Sequence, residues 1–279
     1  MTTDKKPTDW QSAKNFLRGE RPLGTIIHSA PEMRSTQDEA KKAARAGAPC
    51  GAVFVTDFQT SGRGRRDRIW NSAPGIDLTF SVVLRPNIES RHVHTLNLAA
   101  ALAVKTALGG VFGDKKDLVK IKWPNDVIAD GKKICGILCE CAVSDGRLDY
   151  AVLGMGVNVN GAREDIPPPD SADRPEAASI FMETGRLSCL PRLLGEILTE
   201  LGHFLKLTET GDGRRELAEI YRINCATLGR KVKIITDDGI FVGVSADIAS
   251  DGALLLAQGG KTTAFHAADV VHVRAEDHL

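Results

Sequence analysis

The 279-residue sequence predicts an α+β protein that ends in a small β-rich unit. Two observations carry that expectation. Up to about residue 226, short apolar or alternating runs are interspersed with segments whose apolar residues recur at helical spacing. From Thr227 the helical segments stop. Short β-rich runs then alternate with the turn signals DDG (237–239), SDG (250–252) and GG (259–260). The expected organisation is an N-terminal extension over 1–24, a main unit over 25–226 and a β-rich unit over 227–279.

Residues 1–24 are polar and punctuated by glycine and proline, with one short helix expected over 10–17. Residues 25–28 read as a strand. Ser35 or Thr36 then caps a helix in QDEAKKAARAG, whose acids come early, whose bases come late, and which closes at Gly47. GAVFVTD (51–57) is a short apolar strand, and DLTFSVVLR (77–85) alternates as a strand should. HTLNLAAALAVKTAL (94–108) is a helix that the glycines at 109–110 are expected to stop. VKIKWPNDVIAD holds two strands around a proline turn, and a hairpin follows, turning at Ser144-Asp145-Gly146. The proline-rich stretch 161–175 reads as a surface loop, and helices are expected over about 188–207 and 212–224.

Lys+Arg and Asp+Glu balance at 36 each, so net charge gives no reason to expect nucleic acid or a membrane surface as a partner. No apolar run approaches the roughly 18 residues of a membrane span. The polar start, MTTDKKPTDW, lacks a secretory core, so a cytoplasmic protein is expected. The six cysteines form no CxxC pair and have no histidine at zinc-ligand spacing. Cys135, Cys139 and Cys141 share parity in one expected strand and read as small apolar residues on one packed face. The same parity argument puts Cys135 on the face of Lys133, two residues away.

Chemistry concentrates in QTSGRGRRDRIW, 59–70. Four arginines fall within 63–68, interleaved with glycine, and would repel one another without an anionic partner. Glycine lets backbone N–H groups approach a ligand closely, and arginine offers planar bidentate donors to carboxylate and phosphate. Alone, such a loop fits a basic surface segment or a nucleic-acid patch equally well. KWPND (122–126) brings a cation, an aromatic, an amide and a carboxylate into one turn, which on its own could be purely structural. Lys132 and Lys133 precede Gly136. GMGVNVN (154–160) departs from the GxGxxG fingerprint and is not followed by a helix, which argues against a Rossmann site.

Together, QTSGRGRRDRIW, KWPND, KKICGIL and GMGVNVN, in this order and spacing, resemble the biotin protein ligase family, over essentially all of 25–275. The resemblance implies a mixed β-sheet with helices mainly on one face, followed by an SH3-like β-barrel. It implies biotin and ATP as substrates, with Mg²⁺ held mainly by the ATP phosphates rather than by a protein metal site. The acceptor it implies is a lysine of a biotin carboxyl carrier protein, a subunit of acetyl-CoA carboxylase or a related carboxylase. Monomers and homodimers both occur in such a family.

Carried over by position, Ser35, Thr36, Gln37 and Gln59 match residues that hold the biotin ring system. Gly62, Arg63, Gly64 and Arg65 match the loop that closes over the biotin carboxylate and adenylate phosphate. Lys133 matches the lysine that touches both groups, and Gly136 the backbone beneath the biotin. Arg65, Arg68, Trp70, Lys122, Asn125 and Asn158 match the ATP and adenylate side. Arg63, Lys133 and Asp126 are the catalytic candidates, with Asp126 receiving the acceptor lysine. Two positions depart from the family: Asp67 stands for a usual glycine, and Arg34 for a usual acid. Three rivals are weaker. A DNA-binding repressor needs a three-helix unit before the first strand, and 24 residues are too few. Lipoate ligases share the fold but lack KWPND. A non-catalytic biotin-binding module does not require Lys133 and the arginine loop.

Overall fold

The computed structural model describes residues 7–19, 22–66, 68–169 and 175–272. A 3-10 helix at Trp10–Phe16 precedes β1 (Ile27–Met33). Next comes α1 (Thr36–Arg45), whose N-cap is Ser35, one of the two caps the sequence offers, accepting a hydrogen bond from the Asp38 backbone N–H. β2 (Val53–Gln59) and β3 (Leu78–Leu84) lead into α2 (His94–Phe112). Three strands then run close together, β4 (Val119–Lys122), β5 (Asp126–Ala129) and β6 (Lys132–Ser144). β7 (Arg147–Val157) returns from β6 through a turn with positive φ at Asp145 and Gly146. These seven strands form one sheet in the order β1-β2-β3-β7-β6-β5-β4. The sheet is mixed, because β1 pairs parallel with β2 while the other neighbours pair antiparallel.

Helices α3 (Ile180–Thr184), α4 (Leu190–Thr208) and α5 (Gly211–Asn224) complete the main unit. Alternate residues of the central strands meet two separate apolar clusters. Val82, Leu153 and Ile137 join the larger one with α2 and α4, whereas Val83 and Val152 pack with Ala40 and Ala44 of α1. Among the described residues α1 is the helix packed on the second face, and the part of that face beyond it holds a site. Covered on both sides, β3 is buried at all seven positions rather than alternately.

Two expectations about α2 change. The helix runs through Gly109 and Gly110 and ends only at Gly113, whose φ is +56°. A helical glycine costs about 1 kcal/mol relative to alanine, which burial of Leu108 and Phe112 offsets. The stretch Ser90–Leu118 is also long and apolar enough to cross a membrane by length and composition. Its apolar character reflects burial instead: Leu96 and every residue from Leu98 to Val104 lie in the core. The short helix α3, capped by Ser179, was not foreseen.

The C-terminal strands β8 (Lys231–Thr236), β9 (Gly239–Ile248), β10 (Leu254–Gln258), β11 (Lys261–Phe265) and β12 (Asp269–His272) form an antiparallel sheet ordered β11-β10-β9-β8-β12. Trp123 joins it to the main unit. This residue is buried, its indole N–H donates to the Gly252 carbonyl at 3.0 Å, and its backbone N–H donates to Thr227 Oγ1 at 3.1 Å. The aromatic of KWPND is thus a structural anchor.

His272, at the end of β12, hydrogen-bonds Thr227 at 3.3 Å. Burial, with Lys122 and Arg230 nearby, pushes its pKa from 6.5 down to about 4. The unfolded chain therefore takes up this proton at higher pH than the folded one. The resulting stability is complete above pH 6.5, is lost as pH falls toward about 4, and changes no further below that. Allowing for partial exposure, we expect a loss on the order of 1–2 kcal/mol across that window. His272→Gln should remove most of this slope in urea unfolding at pH 7 and pH 4.5; an unchanged slope would refute the assignment.

Candidate active site

The cleft lies on the α1 face of the sheet and encloses about 420 Å³. Its floor is glycine. Ser81 of β3 pairs with Gly154 of β7, and Gly156 of β7 pairs with Gly136 of β6. A Cβ at Gly154 would stand 2.5 Å from Gln37 Oε1, and one at Gly156 would stand 2.2 Å from the Trp70 ring. Glycine is required here because other groups approach the backbone too closely for any side chain.

One end of the cleft is lined by neutral polar groups. Gln59 Oε1 accepts from the Thr36 backbone N–H at 2.8 Å, and Thr36 Oγ1 lies 3.0 Å from Ser81 Oγ. Ser81 Oγ donates to Gln37 Oε1 at 3.1 Å. The Gln37 amide in turn donates to Glu140 Oε2 at 3.0 Å and to the Val152 carbonyl at 3.2 Å. Sequence reasoning missed Ser81 and Glu140. Strand parity could have placed them, since each sits at a site-facing position of a predicted strand.

The other end is cationic. Lys133 Nζ lies 2.7 Å from Asp126 Oδ1, an ion pair not aligned as a hydrogen bond, and 5.7 Å from the Trp70 ring centre. Arg63 pairs with Asp38 at 2.7 Å and lies 3.6 Å from Glu140. Arg65 donates to Asn125 Oδ1 at 3.0 Å and to the Ala268 carbonyl at 3.2 Å. Arg66 and Arg68 both engage Asp269 of β12. The protein's own carboxylates thus partner Arg63, Arg66 and Arg68, whereas Arg65 meets an amide oxygen and a backbone carbonyl. Burial pulls Arg65 below its ordinary pKa, against the attraction of Asp269 and Asp126. Burial also acts on Asp269, but the Arg68 hydrogen bond and the charges of Arg68, Arg66 and Arg65 outweigh it and hold the carboxyl below its usual range.

Lys122 and Asn158 line the same cleft. Burial lowers the Lys122 pKa, with Asp126 opposing. Asn125 and Asn158 spend their amide N–H groups on the Ile137 and Ala178 carbonyls, so each side chain is fixed in orientation. Gly62 accepts from the Trp70 backbone N–H at 3.0 Å, and Gly64 from its own loop donates to the Arg68 carbonyl at 2.7 Å. Ser35 does not line the cleft; fully buried, its hydroxyl caps α1. Asp67 lies outside the described residues, and nothing in the structure explains Arg34.

Cys135 requires a correction. The register of β6 against β5 shifts so that Ile128 faces Lys133 while Val127 faces Cys135, which leaves Ile134 as an extra residue. Lys133 meanwhile pairs outside that ladder, with its N–H donating to the Glu176 carbonyl and its C=O accepting from Ala178. The bulge returns Lys133 to the site face with Asp126 and Gly136. Cys135 points into the α2 core with Ile137 and Cys139, where burial drives its thiol pKa upward. It does not line the cleft, and a thiolate there is disfavoured.

Residues 30–158 match the Biotin/lipoate A/B protein ligase family, and residues 227–273 match the Biotin protein ligase C terminal domain. A Biotin–[acetyl-CoA-carboxylase] ligase of Mycobacterium tuberculosis is 30% identical over 273 residues, which is 97% of this chain and 97% of that protein. The chain belongs to the biotin protein ligase family. Another relative of the ligase, carrying the same name in Paracoccus denitrificans, is 32% identical over 225 residues, 80% of this chain and 90% of its own length. The ligase also shares its fold with the biotin protein ligase from Aquifex aeolicus solved in complex with biotin and ATP. There the TM-score is 0.72 at 24% identity, covering 89% of this chain and 100% of that one.

Proposed function

We propose that this ligase activates biotin with ATP and then transfers it to a lysine of a biotin carboxyl carrier protein. The polarity of the cleft supports this reading. Its neutral end, built from Thr36, Gln37, Gln59 and Ser81, suits the uncharged ring system of biotin, and its cationic end suits a carboxylate meeting a phosphate. The glycines beneath let Gln37 and the Trp70 ring lie directly against the sheet as walls of the site.

In the first step a biotin carboxylate oxygen attacks the α-phosphorus of ATP, and the bond to pyrophosphate breaks. Two anions must approach, so Arg63, Arg65 and Lys133 offset the repulsion and the charge that builds at phosphorus. Aligning both substrates in one cleft adds a proximity gain. Arg68, Trp70, Lys122, Asn125 and Asn158 hold the nucleotide side. Of the cleft carboxylates, Asp126 and Asp269 are engaged by Lys133 and by Arg66 and Arg68, while Asp77 and Asp165 accept from backbone N–H groups, so Mg²⁺ would be held by ATP phosphates and water. Bound there, it supplies further charge neutralisation at the phosphates. In the second step a neutral lysine amine attacks the acyl carbon, AMP leaves, and Asp126 takes the proton.

Biotin-dependent exchange of labelled pyrophosphate into ATP tests the first step, with lipoate and octanoate as competing acids. Exchange driven by biotin alone is the expected result. Exchange driven by lipoate or octanoate instead would replace biotin as the substrate.

A further inference from the structure

We propose that Glu140 is a positioning residue for the ring end of the cleft, fixing the Gln37 amide so that its carbonyl faces the bound substrate. Glu140 stands on β6 opposite Val152 of β7, on the site face of the sheet. Its Oε2 accepts from Gln37 Nε2 at 3.0 Å, while its Oε1 holds Lys41 at 2.7 Å. An ionised carboxylate can only accept, as can the Val152 carbonyl that takes the other Gln37 N–H at 3.2 Å. Both amide hydrogens are thereby directed away from the cleft. Gln37 Oε1 must then lie over Gly154, where Ser81 donates to it. A ring bearing N–H groups meets an acceptor there instead of a second donor.

Without Glu140, rotation of the Gln37 amide by half a turn becomes accessible, and the cleft then presents N–H to N–H. Lys41 and Arg63 make the carboxylate more than a spacer, because these flanking cations hold it on the site side of β6. The inference rests on the reading of Thr36, Gln37 and Gln59 as the biotin end.

The test compares Glu140→Ala, Glu140→Gln and Gln37→Ala in the full-length ligase, with KM for biotin and for ATP measured separately by pyrophosphate exchange. Losing one charge-assisted hydrogen bond should raise KM for biotin by roughly tenfold or more in Glu140→Ala, with KM for ATP unchanged. Glu140→Gln, which retains an acceptor for Gln37, should recover most of the loss, and a variant joining Glu140→Ala to Gln37→Ala should be no worse than Gln37→Ala alone. An unchanged KM for biotin in Glu140→Ala would overturn the proposal, as would equal rises in both KM values or failure of Glu140→Gln to recover. If Gln37→Ala itself leaves KM for biotin unchanged, the assignment of the biotin end fails and the role of Glu140 falls with it.

Discussion

Replacing Lys133 with alanine is expected to slow adenylate formation by about tenfold to a hundredfold, the loss of one charge-assisted contact worth roughly 1.5–3 kcal/mol. Lys133 is the lysine that reaches over Gly136 toward the centre of the cleft, with Asp126 at 2.7 Å on one side and the Trp70 ring on the other. Its charge matters most while carboxylate and phosphate are being brought together. Transfer from pre-made biotinyl-adenylate should therefore suffer less than pyrophosphate exchange. Asp126 loses its ion-pair partner in the same variant, so some reduction in transfer is still expected. Normal exchange by Lys133→Ala would refute the role.

Gly156→Ala is expected to reduce adenylate formation by something on the order of a hundredfold, the scale on which small misplacements in an active site act. The added Cβ would lie 2.2, 2.5 and 2.6 Å from three atoms of the Trp70 indole. Backbone hydrogen bonding to Gly62 fixes the base of Trp70, so the ring itself must leave the floor. That displacement should appear as a change in tryptophan emission accompanying the lost activity. Gly110→Ala is the matched control, for no atom lies within 4 Å of a Cβ there and the position is in the interior of α2. It should be neutral or stabilise by about 0.5–1 kcal/mol. If Gly156→Ala retains full activity, close approach to the floor is not what requires glycine at this position.

Much of the molecule is legible in the sequence where the physics is local. The Ser35 cap, the acid-to-base gradient of α1, the hairpin at Asp145-Gly146 and the turn signals after Thr227 each depend on a few adjacent residues. The Gly/Arg loop and KWPND are legible too, because clustered cations and turn-forming residues carry their chemistry in their composition. Thr36, Gln37, Gln59, Lys133 and Gly136, chosen from sequence, all line one cleft.

What the sequence could not decide depends on which strand lies beside which. Strand parity places Lys133 and Cys135 on one face, and it fails because pairing with β5 and with residues 176–178 inserts a bulge between them. Asp38, Glu140 and Asp269 are ordinary acids in the sequence, far from most of the cations they meet, until sheet order and the packing of β12 bring them to the arginine loop. The motifs determined the chemical groups of the site; only tertiary packing decided their faces and partners, because ladder register and interelement contact are not local properties of the chain.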